Sequence, residues 1–428
     1  MNKNIKLAVA GAVLALSASA ANAGIIIPAG DWTLDVSGNV NMYTSWTKAT
    51  SGSTATINGG LAGSAKQTNN TMGNGLLPNF LSFSGSTRQN DLDVTFLISL
   101  QPGSANNAAL QQVGSAGNTQ GGLNNRQSFI TFGDKSWGSV KVGKDLGIFA
   151  SDAILSDMTL LGVGAGAPGG NTTLGRIGYG YIYADWKPQI SYTTPNFSGF
   201  QATAGISQNF KVTSILDNQA VTASNNFASA GTNANASPAY EGKASYSFAA
   251  NDVTGKIWVS GIAQKAAQLS NGSINDDSVA YAGDIGASIN AAGFGLVGYY
   301  YAGNGIGTTG QGYDGYGYNG ATNKVAGRDS DGGYVQLTYV LPTKTKVGVS
   351  WGISNLDRTG SETTTTGGNI IGNVGNLQKQ NEMWTAGVYH PLTKHVNLVA
   401  EFNHTNSTNQ ANQENSANSG SLGAILFF

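Results

Sequence analysis

"DWTLDVSGNVNM", residues 31 to 42, sorts its side chains into two alternating sets. Trp32, Leu34, Val36, Val40 and Met42 are apolar, and Asp31, Thr33, Asp35, Ser37, Asn39 and Asn41 between them are polar. A period of two puts each set on one face of an extended chain, whereas a helix of 3.6 residues per turn would mix them. The pattern recurs. In "DSVAYAGDIGASIN" (277–290), Val279, Tyr281, Ile285 and Ile289 alternate with Ser278, Asp284, Ser288 and Asn290. In "TKVGVSWGIS" (345–354), Val347, Val349, Trp351 and Ile353 stand against Lys346, Ser350 and Ser354. Each stretch reads as a strand with one apolar and one polar face.

Sixteen such segments are expected. They are 31–47, 79–87, 92–100, 126–133, 138–144, 187–194, 199–208, 239–249, 254–266, 279–291, 293–302, 331–341, 345–355, 381–391, 395–404 and 419–428. Two of them, 254–266 and 293–302, alternate poorly. Tight links such as "RQND", "DKSW", "PNFSG", "NDV", Ala292-Gly293, "PTK" and "LTK" take turns with long connections such as 48–78, 101–125, 145–186 and 303–330. Long loops at one rim and short turns at the other fit an all-β, 16-stranded antiparallel transmembrane barrel, with the short turns on the periplasmic side. A soluble sandwich has no reason to sort its loops this way.

Charge sets the inside and outside. A Lys or Arg facing lipid at mid-membrane costs about 2–4 kcal/mol. Asp35, Asp93, Glu241, Lys243, Asp284, Lys346 and Glu401 all fall on the polar series, so that series is expected to line a lumen. The final stretch "GSLGAILFF" (420–428) puts Leu422, Ala424, Leu426 and Phe428 on the lipid face. A closed barrel pairs its last strand with its first and leaves no edge. Phe428 is thus expected to close the barrel and to stand in the periplasmic aromatic girdle.

Composition agrees. Charged residues are 11% against a norm of ~25%, and glycine occurs 61 times. No cysteine is present, which excludes a disulfide framework and a thiolate metal site. A net charge of -1 removes the electrostatic case for nucleic acid as a partner. Residues 1–23 carry Lys3 and Lys6, an apolar run from Leu7 to Leu16 and a small-residue end at Ala21-Asn22-Ala23. They read as a secretory signal cleaved after Ala23, leaving 24–428 as the barrel domain.

The longest connection, 145–186, is unlike a solvated loop, since it holds Ile148, Phe149, Ile154, Leu155, Leu160 and Leu161. Folding it against the inner wall would bury them; the alternative is an external cap.

At these residues the chain resembles the general, trimeric porins of Gram-negative outer membranes. "NRQSFITFGDKSWGSVKVGK" (125–144) resembles that family's fourth and fifth strands, with Arg126 as a wall arginine and Gly143-Lys144 in place of a Gly-Arg pair. "SDAILSDM" (151–158) is similar to the start of the infolded third loop, and "GRIG" (175–178), with Arg176, to its return. "YTTPNFSGF" (192–200) and "YHPLTKHVNLVAEF" (389–402) resemble a periplasmic turn and the last hairpin. The resemblance implies a homotrimeric passive channel for small hydrophilic solutes and ions, seated in outer-membrane lipid and lipopolysaccharide, with no cofactor. It also implies a constriction formed by Arg126, Arg176, Asp152, Asp157, Lys141 and Lys144. One departure stands out: "TLLGVGAGAPGGNTT" (159–173) carries no charge where the family places a Pro-Glu-Phe-Gly acid. A solute-selective channel, for sugars for example, and a structural or adhesive barrel with a closed lumen stay open as alternatives.

Enzyme chemistry finds little support. The three histidines, His390, His395 and His404, lie near strand ends without a nucleophile and orienting group beside them, and no two share a face at metal-ligand spacing. Asp152 and Asp157, five apart in an exposed lumen loop, suit fixed pore charge better than glycoside hydrolysis. "GVGAGAPGG" (162–170) lacks the Gly-Lys-Ser/Thr of a phosphate loop. The Tyr-rich "GQGYDGYGYNG" (310–320) reads as an external surface loop, with sugar stacking as a second possibility.

Overall fold

The computed structural model describes residues 24–50, 55–63, 68–104, 123–165, 172–210, 237–269, 276–319, 324–360, 362, 365–366, 369–370 and 373–428. The expected leader 1–23 and the third-loop tip 166–171 lie outside the described residues.

The wall has sixteen antiparallel strands. The first eight are β1 (Trp32–Ala49), β2 (Phe80–Gln89), β3 (Leu92–Pro102), β4 (Ser128–Asp134), β5 (Gly138–Leu146), β6 (Trp186–Thr193), β7 (Phe200–Ser207) and β8 (Ala239–Ala250). The rest are β9 (Val253–Leu269), β10 (Asp276–Ala291), β11 (Phe294–Asn304), β12 (Asp329–Val340), β13 (Lys346–Leu356), β14 (Gln378–Pro391), β15 (Val396–Asn409) and β16 (Glu414–Phe427). Every expected strand is present. The outer ends of β15 and β16 run further than expected, so the last external connection is only Gln410–Gln413.

Alternation decides the faces as argued. Val349, Ile285, Phe402 and Leu422 are each about half exposed on the outer surface, while Ser350, Asp284, Glu401 and Ser421 face inward and are buried. Two-residue turns close three of the periplasmic hairpins, those after β2, β8 and β10. Asn90 and Asp91, and Ala292 and Gly293, all take positive φ, which matches the twist of the flanking strands.

Closure is composite. β16 pairs with β1 from Asn39↔Phe427 to Ala49↔Ala417. Phe428 exchanges two backbone hydrogen bonds with Gly38. The short N-terminal strand Ile25–Ala29 then pairs with the lower half of β1, starting at Ile25↔Val36. It continues the line of β16 and hides the edge that β1 would otherwise show to lipid. Sequence reading left this strand out because "IIIPA" has no alternation.

β2 is preceded on the same line by Thr68–Gly73. Between the two pieces, residues 74–79 leave the wall. Asn41 holds them, donating to Leu77 O (3.0 Å) and accepting from the Gly75 amide (3.0 Å).

Candidate functional site

The connection between β5 and β6 folds into the barrel. It carries a short helix, α1 (Ser151–Ser156), and a 3-10 turn at Met158–Leu161 capped by Asp157, whose side chain accepts from the Thr159 amide. Phe149, Ala153, Ile177, Tyr181 and Ile182 are fully or almost fully buried. They pack on inward residues of the wall, including Trp258 and Ile262 of β9 and Tyr299 and Tyr301 of β11. Those apolar inward residues explain why 254–266 and 293–302 alternate poorly in the sequence: these two strands face the loop, not water. Leu160 and Leu161 meet Leu77, Ile425 and Phe427, so the apolar inward residues of the last strand are a seat for the loop.

Two glutamates on well-separated strands grip the loop backbone. Glu241 on β8 accepts through Oε2 from the Ile148 (2.8 Å) and Phe149 (2.9 Å) amides. Glu401 on β15 accepts through Oε2 from the Val163 (2.9 Å) and Gly164 (2.8 Å) amides, and through Oε1 from the Tyr389 hydroxyl (2.7 Å). Between them, Gln336 accepts from the Met158 amide (2.7 Å), Tyr43 donates to Leu161 O (2.5 Å) and Tyr334 donates to Ala153 O (2.8 Å). The loop is thus tied to β1, β8, β12 and β15.

The residues expected at the constriction separate. Lys141 faces inward, pairs with Asp145 and lies 4.7 Å from the Phe129 ring. Asp152 is buried between Lys243 (3.0 Å) and Lys256. Burial alone would raise its pKa, but the two ammonium groups carry it below the usual aspartate value. Asp157 caps its turn and accepts from the Tyr181 hydroxyl (2.8 Å).

Two expectations, for Arg176 and Lys144, need correction. Arg176 is 0% exposed; it donates to Thr385 Oγ1 (2.9 Å) and Met383 O (3.3 Å), which fastens the returning loop to β14. Burial lowers its pKa against the pull of Asp157. Arg126 lies just before β4, with its guanidinium over the Trp186 ring at 6.0 Å. Lys144 shares the outward phase of Val142 and donates to Asn125 O (2.8 Å) at the external rim. The family motif located the strand correctly, but alternation sends the Lys144 side chain away from the lumen.

The expected lumen lining faces inward, with less open surface than expected. Glu241, Asp284 and Glu401 are buried, and Asp284 accepts from the Tyr299 hydroxyl (3.0 Å). Lys243 also donates to Ser151 Oγ (3.0 Å), and Lys346 lies 4.9 Å from the Tyr389 ring. Asp93 pairs with Arg88 (2.9 Å) at the periplasmic mouth, where Arg88 also holds Asp134 (2.9 Å). Asp35 lies beside Gly24. Sequence reading missed Lys256, Asp145 and Lys187, which is buried and pairs with Glu241.

The Tyr-rich loop is corrected as well. Tyr316, Gln311 and Asp314 are buried and only Tyr313 is well exposed, while the side chains of 318–320 lie outside the described residues. The loop rests on the infolded one, with Thr309 O accepting from the Tyr183 amide (2.8 Å) and Gln311 donating to Ala184 O (3.2 Å). The histidines stay apart. His390 bonds Thr345 (2.9 Å), His404 bonds Asn418 (2.7 Å), and among the described residues no group of three or more acidic, His or Cys side chains is placed to hold a metal.

Comparison with known proteins gives the same architecture. The family profile of Gram-negative porins matches residues 9–410. The outer-membrane channel DcaP of Acinetobacter baumannii superposes with a TM-score of 0.64 at 15% identity, covering 95% of this chain and 100% of that one. An anion-selective porin from Comamonas acidovorans gives 0.59 at 15% identity, with 93% and 100% covered. OmpT of Vibrio cholerae gives 0.51 at 12% identity, with 93% and 99% covered. No curated protein sequence matches significantly. A barrel closed on itself, an infolded loop clamped from both sides and a profile match over nearly the whole chain lead to one conclusion: the chain belongs to the Gram-negative porins, passive diffusion channels of the outer membrane and not enzymes.

Proposed function

We propose that this porin favours small anionic solutes. One observation carries the reading: six inward acids are sealed, while four of the inward amines keep contact with water. Asp145, Asp152, Asp157, Glu241, Asp284 and Glu401 are all less than a tenth exposed. Side-chain exposure is 27% for Lys141, 23% for Lys243 and 33% for Lys256, and Lys346 is half-buried. The mouth acids Asp93 and Asp134 share the one guanidinium of Arg88, which offsets half of their charge. In a narrow lumen with low-dielectric walls, ammonium groups that reach water while their carboxylate partners are sealed present their positive side to passing ions. That the Comamonas acidovorans porin is anion-selective agrees with this reading.

The test is the reversal potential across a tenfold KCl gradient in planar bilayers. The parent should select chloride. Lys141→Ala with Lys256→Ala should move the potential toward potassium, and Arg126→Ala should move it little. A cation-selective parent sinks the proposal, and absence of ohmic steps would favour the closed structural barrel.

Two further readings belong here. Gly24 falls opposite Ser37 in the line of β16, next to Phe428 opposite Gly38, and its Cα lies against the Asp35 carboxylate. Cleavage after Ala23 would set a new ammonium beside Asp35, which supports Gly24 as the mature N-terminus. A homotrimer is supported by the low wall of β4 to β7. Of these strands β4, β6 and β7 have 7, 8 and 8 residues, short of the ~9–11 that a lipid-facing strand needs, and β5 with 9 only reaches its lower end. The Vibrio cholerae OmpT structure is described as a trimer form.

A further inference from the structure

The tall side of the wall carries a groove of about 720 Å³ on its lipid face, across β12 to β16 and β1. That volume is in the ~300–1,000 Å³ range of ligand pockets. Strand register shows how it forms. One row across the wall reads Leu337, Val349, Ala386, Phe402, Gly420, Trp46. The next row toward the periplasm places Tyr339, Val347, Val388, Ala400 and Leu422. Small residues, Ala386, Ala400 and Gly420, surround Phe402 in the middle and leave the surface low on either side of it between the bulky Leu337, Tyr339 and Trp46. A side chain at Gly420 would meet nothing within 4 Å.

The groove leads into a basic patch. One row below Val347 and Val388 stand Thr345 and His390, joined by a hydrogen bond of 2.9 Å. Lys344 and Lys394 occupy the exposed turns just beyond. Phe294 and Tyr339 stack at 4.4 Å beside the groove at girdle depth. An apolar trough that opens on two ammonium groups at the level of lipid headgroups has the polarity of one amphiphile. We propose that it binds an anionic glycerophospholipid of the periplasmic leaflet, with acyl chains in the trough and the phosphate at Lys344, Lys394 and His390.

A second copy of the chain fits less well. Its outer wall is convex on the barrel scale and would bridge the trough without filling it, whereas acyl chains conform to it. The proposed subunit contact also lies on the low wall, and the groove strands β12 to β16 have 11 to 14 residues. Juxtamembrane lysines add about 1 kcal/mol each toward anionic lipid, close to fivefold in retention.

The experiment incubates detergent-purified protein with equimolar dioleoylphosphatidylglycerol and dioleoylphosphatidylcholine and counts retained lipid by native mass spectrometry. Phosphatidylglycerol should be retained preferentially by the parent, a readout that needs no variant. Lys344→Ala with Lys394→Ala should bring it down to the phosphatidylcholine level. Ala386→Phe with Gly420→Leu should reduce retention of both lipids, with conductance and heat-modified gel mobility unchanged. Equal retention of the two lipids by the parent overturns the proposal, as does a lysine variant that behaves like the parent. A groove-filling variant that alters oligomer mass without losing lipid overturns it too, by assigning the trough to contact between copies.

Discussion

Gly162 has no room for a side chain: a Cβ there would stand 1.9 Å from Glu401 Oε1. The loop backbone presses on the very carboxylate that holds the next two amides. Gly162→Ala must push that carboxylate aside or lift the loop, and each lost bond to a charged group costs roughly 1.5–3 kcal/mol. We expect a folded barrel whose open-channel current is noisier than the parent's, because one of the two loop clamps is gone. Single-channel recording checks this, and a quiet Gly162→Ala trace would deny the clamp. Site residues were only half legible at this scale. Alternation alone put Glu241 and Glu401 inside, because a strand has two faces and charge excludes one. Their partners, amides 93 and 238 residues away in sequence, leave no local signal. Lys144 shows the converse: a family motif named its strand, but a side chain's direction depends on register.

At the scale of elements, the external cap is the part that sequence reading placed in solvent. Its latch is a fully buried ion pair, Arg328 with Glu362 (3.1 Å from Nε to Oε2). Arg328 also donates to Asp314 O (2.8 Å), and Gly315 O accepts from its amide (2.7 Å), which pins the Tyr-rich loop over the lumen. No periodicity announces such a latch, since its halves lie in separate irregular loops. Burial alone would raise the Glu362 pKa, but Arg328 and Thr359 carry it below the usual glutamate value. A carboxylate depressed in the folded state contributes fully above its unfolded pKa, ~4.3, and loses that contribution as pH falls through the folded value. Protection of the 305–317 amides relative to their intrinsic exchange rates should therefore be high and constant from neutrality down to about pH 4.3, then fall below it. Glu362→Gln strands a buried guanidinium, at a cost of about 3–5 kcal/mol. It should exchange fast already at neutral pH and lose the acid transition. A parent that opens well above pH 5 would assign the latch to another group.

For the whole molecule, the decisive property is that no strand edge meets lipid. All sixteen wall strands were legible, because every lipid-facing strand must alternate and every hairpin needs a turn. The seam was legible only in part. Phe428 was recognised as the closing residue, but the line it closes is shared with Ile25–Ala29, whose exposed isoleucines carry no inward face to alternate with. β1 spans 18 residues, and β16 covers it only from Asn39 outward; the lower part depends on the N-terminal strand. A gap in this composite line leaves unpaired amides and carbonyls of β1 facing hydrocarbon, each costing several kcal/mol. Deleting Phe427 and Phe428 opens such a gap between Leu426 and Gly24, and it also removes Phe427 from the seat of the infolded loop. Deleting 25–29 opens the lower half of the same seam and leaves the loop seat intact. Both variants should assemble poorly, and the folded, heat-modifiable band of the 25–29 deletion should melt well below the parent's. Trimming the external turn Gln410–Gln413 by two residues should leave that band near its original temperature, since no lipid-facing pair is lost. Gel mobility of unheated and heated samples over a temperature series decides it. If the 25–29 deletion melts with the parent, β1 is sealed by something other than the N-terminal strand.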